Sequence, residues 1–278
     1  MRLKIRDQQA ITMTVGNYKG GVGKTTNSVL IGYTLAKKGY RTLIVDLDAQ
    51  ANATKTLMLT KMSNENDEIT TLDKTIMRAI SDGDLSDIVI EVIDNLYLMP
   101  SNIDFENFSK YLFQSTTSQK EEDYFLDNLL TPLQKEYDVI IVDVPPMSKE
   151  VTRNAVVTSD YVLISLQTQE RSLTGAENYI SELDKLNSLY DLDLIVAGIL
   201  PVLWKNKGTV DEYILDSAKE IFGEDNLFKT IIPQMERVKR FDVNGITEND
   251  RHDLKVIEKF DEVTEELIER INFYEGGE

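Results

Sequence analysis

Short apolar runs alternate along this chain with longer segments whose apolar positions recur every three or four residues. The runs at 11–16, 41–47, 96–99, 139–142, 161–166 and 192–200 are rich in β-branched and aliphatic residues and predict strands. Helical spacing predicts helices over 25–38, 70–80, 103–113, 121–136, 172–190, 209–222 and 254–271, the second of them opening on Thr70 or Thr71. The polar stretch 62–67 reads as a loop. So does Ser115-Thr116-Thr117-Ser118-Gln119, whose short side chains compete for backbone hydrogen bonds. Strands and helices in alternation imply an α/β fold, a doubly wound and mostly parallel sheet with helices on both faces. No internal repeat or low-complexity linker divides residues 1–278, so one domain is expected, with a flexible basic extension at 1–10, a helical insertion at 102–136 and a C-terminal helix at 251–272. The insertion carries Phe105, Phe108, Tyr111, Phe113, Tyr124 and Phe125. At helical spacing these are expected in the core, the alternative being a surface for a partner protein.

The segment between the first strand and the first helix changes the picture. Lys19-Gly20-Gly21-Val22-Gly23-Lys24-Thr25-Thr26 is a phosphate-binding loop in which glycines let backbone N–H groups turn inward around an anion, at a helix N-terminus aimed at the same place. Gly23-Lys24-Thr25 fit the common G-x-x-x-x-G-K-[ST] form, but Tyr18 stands where the first glycine belongs. Lys24 is expected on the β and γ phosphates, the Thr25 hydroxyl on Mg²⁺, and Thr26 with nearby backbone N–H groups on the α and β phosphates of ATP. Lys19 has no role in that scheme. A second cation beside the first calls for more negative charge, which the triphosphate of a second subunit would supply. Two carboxylate-bearing strand ends complete the candidate site. Alternation in a strand puts Asp46 and Asp48 on one face, and Asp143 ends an apolar strand ahead of Val144-Pro145-Pro146, where P-loop enzymes hold Mg²⁺.

Those three segments, read with Ala49-Gln50-Ala51-Asn52, resemble the ATP-site motifs of the ParA/MinD family of deviant Walker ATPases. Ile231-Ile232-Pro233 and Asn244-Gly245-Ile246-Thr247-Glu248 extend the resemblance over most of the chain, which looks like the ParA-type plasmid-partition ATPases of Gram-positive plasmids. One departure is Ala49, where relatives commonly have proline. The resemblance implies that Lys19 crosses an ATP-sandwich homodimer to the partner's phosphates, that Asp48 positions the attacking water and that Asp46 lies near Mg²⁺. It places the adenine near Pro233 to Met235. It also implies a slow ATPase that binds nonspecific double-stranded DNA in the ATP state, is stimulated by a ParB-like centromere-binding protein and drives DNA partition. Positioning of a protein cargo, or an ATP-regulated repressor, stands as the alternative; the first strand comes too early for an N-terminal helix-turn-helix.

Composition narrows the branch. The chain has no cysteine, which excludes thiolate-ligated iron–sulfur and metal-carrier relatives, and its one histidine, His252, is expected at the surface. No stretch approaches eighteen apolar residues and no apolar signal region opens the chain, so a cytoplasmic protein, nucleoid-associated when ATP-bound, is expected. From 248 to 278 eleven acidic residues face four basic ones, which argues against an anionic membrane as partner. The net charge of −18 repels nucleic acid at long range, so any DNA contact must be local. Lys205 and Lys207 form one candidate cluster; Arg237, Lys239 and Arg240 form the other, with Arg237 matching the family's DNA-contacting arginine by spacing. Both are expected in loops after strands, on one side of the sheet, with Arg2, Lys4 and Arg6 as a possible supplement from a disordered tail.

Overall fold

The computed structural model describes residues 2–4, 9–65, 72, 74–204 and 209–276. Its elements run β1 Ile11–Gly16, α1 Lys24–Lys37, β2 Thr42–Asp46, α2 Asn52–Glu65, α3 Ile76–Asp82, β3 Ile90–Ile93, β4 Leu96–Met99, α4 Phe108–Ser115, α5 Gln119–Asp123 and α6 Phe125–Leu130. They continue through β5 Val139–Asp143, α7 Lys149–Val157, β6 Tyr161–Gln167, α8 Glu170–Tyr190, β7 Ile195–Val202, α9 Thr209–Phe222, α10 Glu236–Asn244 and α11 Arg251–Gly276. Among the described residues seven strands form one sheet in the order β3-β4-β2-β5-β1-β6-β7, parallel except for the β3–β4 pair. The α/β, doubly wound expectation is met.

Helices cover both faces, which is why the central strands read as unbroken apolar runs: every residue of β1, β2 and β5 is buried. On one face Leu30, Ile31 and Leu35 of α1 share a core with Phe260, Val263 and Leu267 of α11. On the other, Phe105, Phe108, Leu126 and Leu130 pack against Val151 and Ala155 of α7. The carboxyl ends of β1, β2 and β5 lie side by side, with Val15 and Asp46 each in register with Asp143. That edge is where open α/β sheets hold ligands.

Several elements depart from the pattern-based expectation. Of the stretch 62–67, residues up to Glu65 are helical and 66–67 lie outside the described residues; the end of α2 is tied to α10 and the turn after it, Ser63 Oγ donating to the Asn244 carbonyl at 2.9 Å and Thr60 Oγ1 accepting from Ile246 N at 2.8 Å. Thr70 and Thr71 lie outside the described residues, and α3 begins at Ile76. The single helix expected over 121–136 is broken into α5, α6 and a tight 3₁₀ turn with Pro132 near its start. The break lets Asp123 turn inward, where Arg153 grips both its carboxylate oxygens and Tyr190 donates to one of them at 2.6 Å. Phe113 is 79% exposed rather than in the core. α2, β3, α7 and α10 were not anticipated, and 231–233 forms no strand beyond a single bridge between Pro233 and Trp204. Residues 2–4 are not a loose tail: Leu3 is buried, Lys4 N donates to Asn272 Oδ1 at 2.7 Å and Asn272 Nδ2 donates to the Arg2 carbonyl at 2.9 Å. Arg6 lies outside the described residues. None of the described helices is long and apolar enough to cross a membrane.

Candidate nucleotide site

The loop after β1 is held from below by asparagines and a serine that the motif does not contain. Asn17, at 2% exposure, donates from Nδ2 to the carbonyls of Ser165 and Ser172 at 2.8 and 3.3 Å, while its Oδ1 accepts from Lys19 N at 2.8 Å. Asn27 Nδ2 donates to Ser165 Oγ at 3.0 Å, and that hydroxyl in turn donates to the Val22 carbonyl. Gly21 and Gly23 take left-handed backbone angles, φ 75° and 78°, which a side chain would resist. Tyr18 does not disturb the turn, because it leaves the loop sideways and packs edge-on against Tyr179, ring centres 5.2 Å apart. Asn17, Asn27 and Ser165 escaped the sequence reading; the one available signal was a lone Asn directly after an apolar strand.

Lys24 is only 6% exposed and its Nζ donates to the Lys19 carbonyl at 3.3 Å. Burial holds its pKa below the ordinary lysine value, partly offset by Asp143 and Asp48. Lys19 is half-buried and folds its own Nζ back onto the Gly20 carbonyl at 3.1 Å.

Above this loop opens a cavity of about 750 Å³. Gly21, Gly23, Lys24, Thr25 and Thr26 form its floor, and Asp48, Gln50 and Asn52 one wall. Val144, Pro145 and Pro146 supply a further part of the lining. Ile232, Pro233, Gln234 and Met235 line the remaining end together with Val202 and Leu203. Lys19, Gly20 and Val22 do not line it.

The two carboxylates expected on one strand face are separated. The strand ends at Asp46, which is fully buried; its Oδ1 accepts from Asp48 N at 3.0 Å and its Oδ2 from Thr54 N and Thr54 Oγ1 at 2.9 and 2.7 Å. Asp46 therefore anchors the loop that carries Asp48, and only Asp48 faces the cavity. Thr54 bridges onward, its Oγ1 accepting from Ser101 N at 2.9 Å. Replacing Thr54 by Val removes both hydroxyl bonds at constant shape, and the unfolding free energy from a denaturant titration is expected to fall by about 1–3 kcal/mol. Unchanged stability would mean that water replaces the hydroxyl.

Asp143 is likewise fully buried. Its Oδ1 accepts from Ser28 Oγ at 2.9 Å, whereas Oδ2 has no partner among the described residues. Burial and the neighbouring carboxylate raise the pKa of both Asp46 and Asp143. A buried carboxylate with one oxygen unpartnered, close enough to the Thr25 hydroxyl for that group to favour its charged form, suits a divalent cation. No group of three His, Cys, Asp or Glu among the described residues could hold a metal by itself. One carboxylate plus ligand phosphates is the usual arrangement for Mg²⁺.

The basic clusters are not both loops. Lys205 and Lys207 lie outside the described residues. Arg237, Lys239 and Arg240 stand on α10. Arg237 is spoken for: Nη2 pairs with Asp250 Oδ2 at 2.5 Å and Nε with the fully buried Asp253. Lys239 pairs with Glu236 at 2.9 Å and lines the nucleotide cavity, while Arg240 is exposed.

Comparison with known proteins bears on this geometry. The family described as AAA domain matches residues 10–196. The sporulation initiation inhibitor protein Soj of Bacillus subtilis is 30% identical over 234 residues, covering 84% of this chain and 88% of that protein. The chromosome partitioning protein ParA of Myxococcus xanthus is 30% identical over 226 residues, 81% of this chain and 75% of that one. Among solved structures, apo McdA of Cyanothece superimposes with a TM-score of 0.78 at 20% identity, covering 94% of this chain and 99% of that one. A plasmid partition protein of Borrelia burgdorferi bound to AMPPNP gives 0.74 at 23%, covering 94% and 99%. With its phosphate loop, its buried Asp143 and these likenesses, the chain belongs to the ParA/MinD-type Walker ATPases and is an ATPase.

Proposed function

We propose that this protein is an ATP-driven switch for DNA partition: it binds ATP and Mg²⁺ in the 750 Å³ cavity, pairs face to face with a second copy, binds duplex DNA without reading sequence, and releases both on hydrolysis. The observation that carries the reading is a desolvated Lys24 on a glycine floor, facing Asp48 across an open cavity, with a second lysine, Lys19, in the same loop and outside that cavity. The partitioning role rests on the likeness to Soj and ParA.

In this reading Lys24 and the loop N–H groups hold the β and γ phosphates, and Thr26 assists at the α and β phosphates. Thr25 and Asp143 hold the cation, with Asp46 supporting from behind. Held there by the Thr25 hydroxyl and the Asp143 carboxylate, Mg²⁺ would supply positive charge to offset the negative charge that develops on the phosphates. Asp48 orients the attacking water. Lys19 swings off the Gly20 carbonyl toward the second copy's phosphates, and a cation supplied in this way is worth roughly 10³ to 10⁵ in rate. The adenine lies against 233–235. A centromere-binding partner protein accelerates turnover, and the whole chain acts as one unit.

Binding to random-sequence duplex DNA, compared without nucleotide, with ADP and with a nonhydrolysable ATP analogue across a salt series, tests the reading. Six neutralised phosphates per dimer give a log–log salt slope near about −5 and a roughly thousandfold loss of affinity from about 50 to 200 mM salt, in the analogue state alone. Absence of binding in every state would remove DNA as the matrix and favour a protein cargo.

A further inference from the structure

Helix α10 stands as a wall between two cavities. Met235 at its N-cap, then Val238, Lys239 and Asp242, line the nucleotide cavity. Arg237, Arg240, Phe241 and Asn244 line a second, surface cavity of about 360 Å³, closed on its far side by Ser63 of α2 and Asp253 of α11. Between them lies a void of about 20 Å³, bounded by Thr25 and Thr26 of the phosphate loop, Thr56 of α2, and Val238 and Phe241 of α10. A space of that size admits about one water beside Phe241.

The helix is otherwise thinly anchored. Phe241 is its one buried residue among nine. Polar bolts hold its two ends instead. At the C-terminal end Gly245, φ 77°, lies so close to α2 that a Cβ there would sit 2.4 Å from Thr60 N, and its own N–H donates to the Phe241 carbonyl at 3.0 Å. At the N-terminal end the bolt is Arg237, whose guanidinium bridges Asp250 and Asp253. Asp253 is itself fixed by Thr247 Oγ1 at 2.8 Å and Asn249 N at 3.0 Å. A short helix with one fully buried side chain, Val238 only partly buried against the same core, a small space beside Phe241 and ionic fastening at its end can shift as a unit.

We propose that α10 transmits occupancy of the nucleotide cavity to the exposed face that carries Arg240, and that Arg237 is a positioning residue that sets the resting place of α10 through Asp253, not a contact to an external ligand. The inference rests on the cavity being the nucleotide site. A base seated at 232–235 presses on Met235 and Val238, and a phosphate on Thr25 and Thr26 reaches the void behind Phe241. Both routes act on the same helix. Arg237 then matters to nucleotide affinity even in the absence of any other ligand, which a residue serving only as an outward contact would not.

Hydrogen–deuterium exchange of the full chain with and without a nonhydrolysable ATP analogue gives the test, together with the affinity of a fluorescent ATP analogue. The variants are Arg237→Lys, which keeps the charge but cannot bridge two carboxylates, Asp253→Asn, and the milder Asp250→Asn. The expected result has three parts. The analogue protects amides 20–27 and also 238–244 in the parent. In Arg237→Lys the protection of 238–244 is lost while that of 20–27 persists at saturating nucleotide. Affinity falls roughly fivefold or more in Arg237→Lys and in Asp253→Asn, and the double variant is no worse than the weaker single. Asp250→Asn shows the same loss in part, which covers the case in which a change at buried Asp253 prevents folding. Protection at 20–27 without protection at 238–244 in the parent would overturn the inference and leave the nucleotide reading intact. So would unchanged nucleotide affinity in Arg237→Lys. Protection at neither segment would overturn both.

Discussion

Lys24→Ala is expected to abolish nucleotide binding without harming the fold. The residue is 6% exposed, its ammonium donates to one carbonyl at 3.3 Å, and burial opposes its charge. Such a group gains its full interaction when a polyanion arrives, because little hydration remains to be stripped from it. Truncating one partner of a buried charge pair costs about 2–5 kcal/mol, so affinity for a fluorescent ATP analogue is expected to weaken by roughly 30-fold to several thousandfold. The thermal midpoint of the nucleotide-free protein is expected to hold or rise, since an incompletely paired buried charge has been removed. Retained affinity would overturn the assignment of the loop.

Asp48→Ala is expected to leave binding and remove turnover. Asp48 is the carboxylate of the pair that faces the cavity, and its Oδ1 accepts from Gln50 N at 2.9 Å, which aims it from a short turn. Loss of a positioned acid–base group typically costs about 10²- to 10⁴-fold in rate. ATP affinity is expected to stay within a few-fold, so an ATP-bound paired form persists, seen as a stable larger species in size-exclusion chromatography with ATP. Asp48→Asn keeps an acceptor for Gln50 and separates loss of charge from loss of the turn; the same rate defect is expected. Normal turnover in both variants would remove Asp48 from the water-positioning role.

Asp46 shows why these two carboxylates needed a structure to be told apart. Two residues apart at a strand end, they look equivalent on the page, and strand alternation puts them on one face. The strand ends at Asp46, the following turn redirects Asp48, and the donors that claim Asp46 come from Thr54, eight positions on. Arg237 shows the same limit. Its spacing from 231–233 marked it as an outward-facing cation, whereas acids thirteen and sixteen positions further along occupy its guanidinium.

The elements divide in the same way. β1, β2, β5 and β6 were legible because burial on both faces leaves an unbroken apolar run, and α8 and α9 because a long amphipathic stripe repeats often enough to be seen. α10 was not, since one buried phenylalanine in nine residues makes no stripe. Nor was α2, because buried Thr54, Thr56 and Thr60 interrupt its apolar positions and Thr60 is satisfied by the Thr56 carbonyl and by Ile246 N of a distant segment.

What the sequence by itself determined is what neighbouring residues decide: strand and helix order, hence the parallel sheet, and the glycine–lysine–threonine loop whose backbone and charges suit a phosphate. Tertiary structure alone decided how that loop is held, through Asn17 and Asn27 reaching Ser165, 148 and 138 positions away. It also decided which carboxylate meets the cavity and which cation is already paired. Such assignments follow from burial and hydrogen-bond partners supplied by distant segments, and no local pattern encodes those.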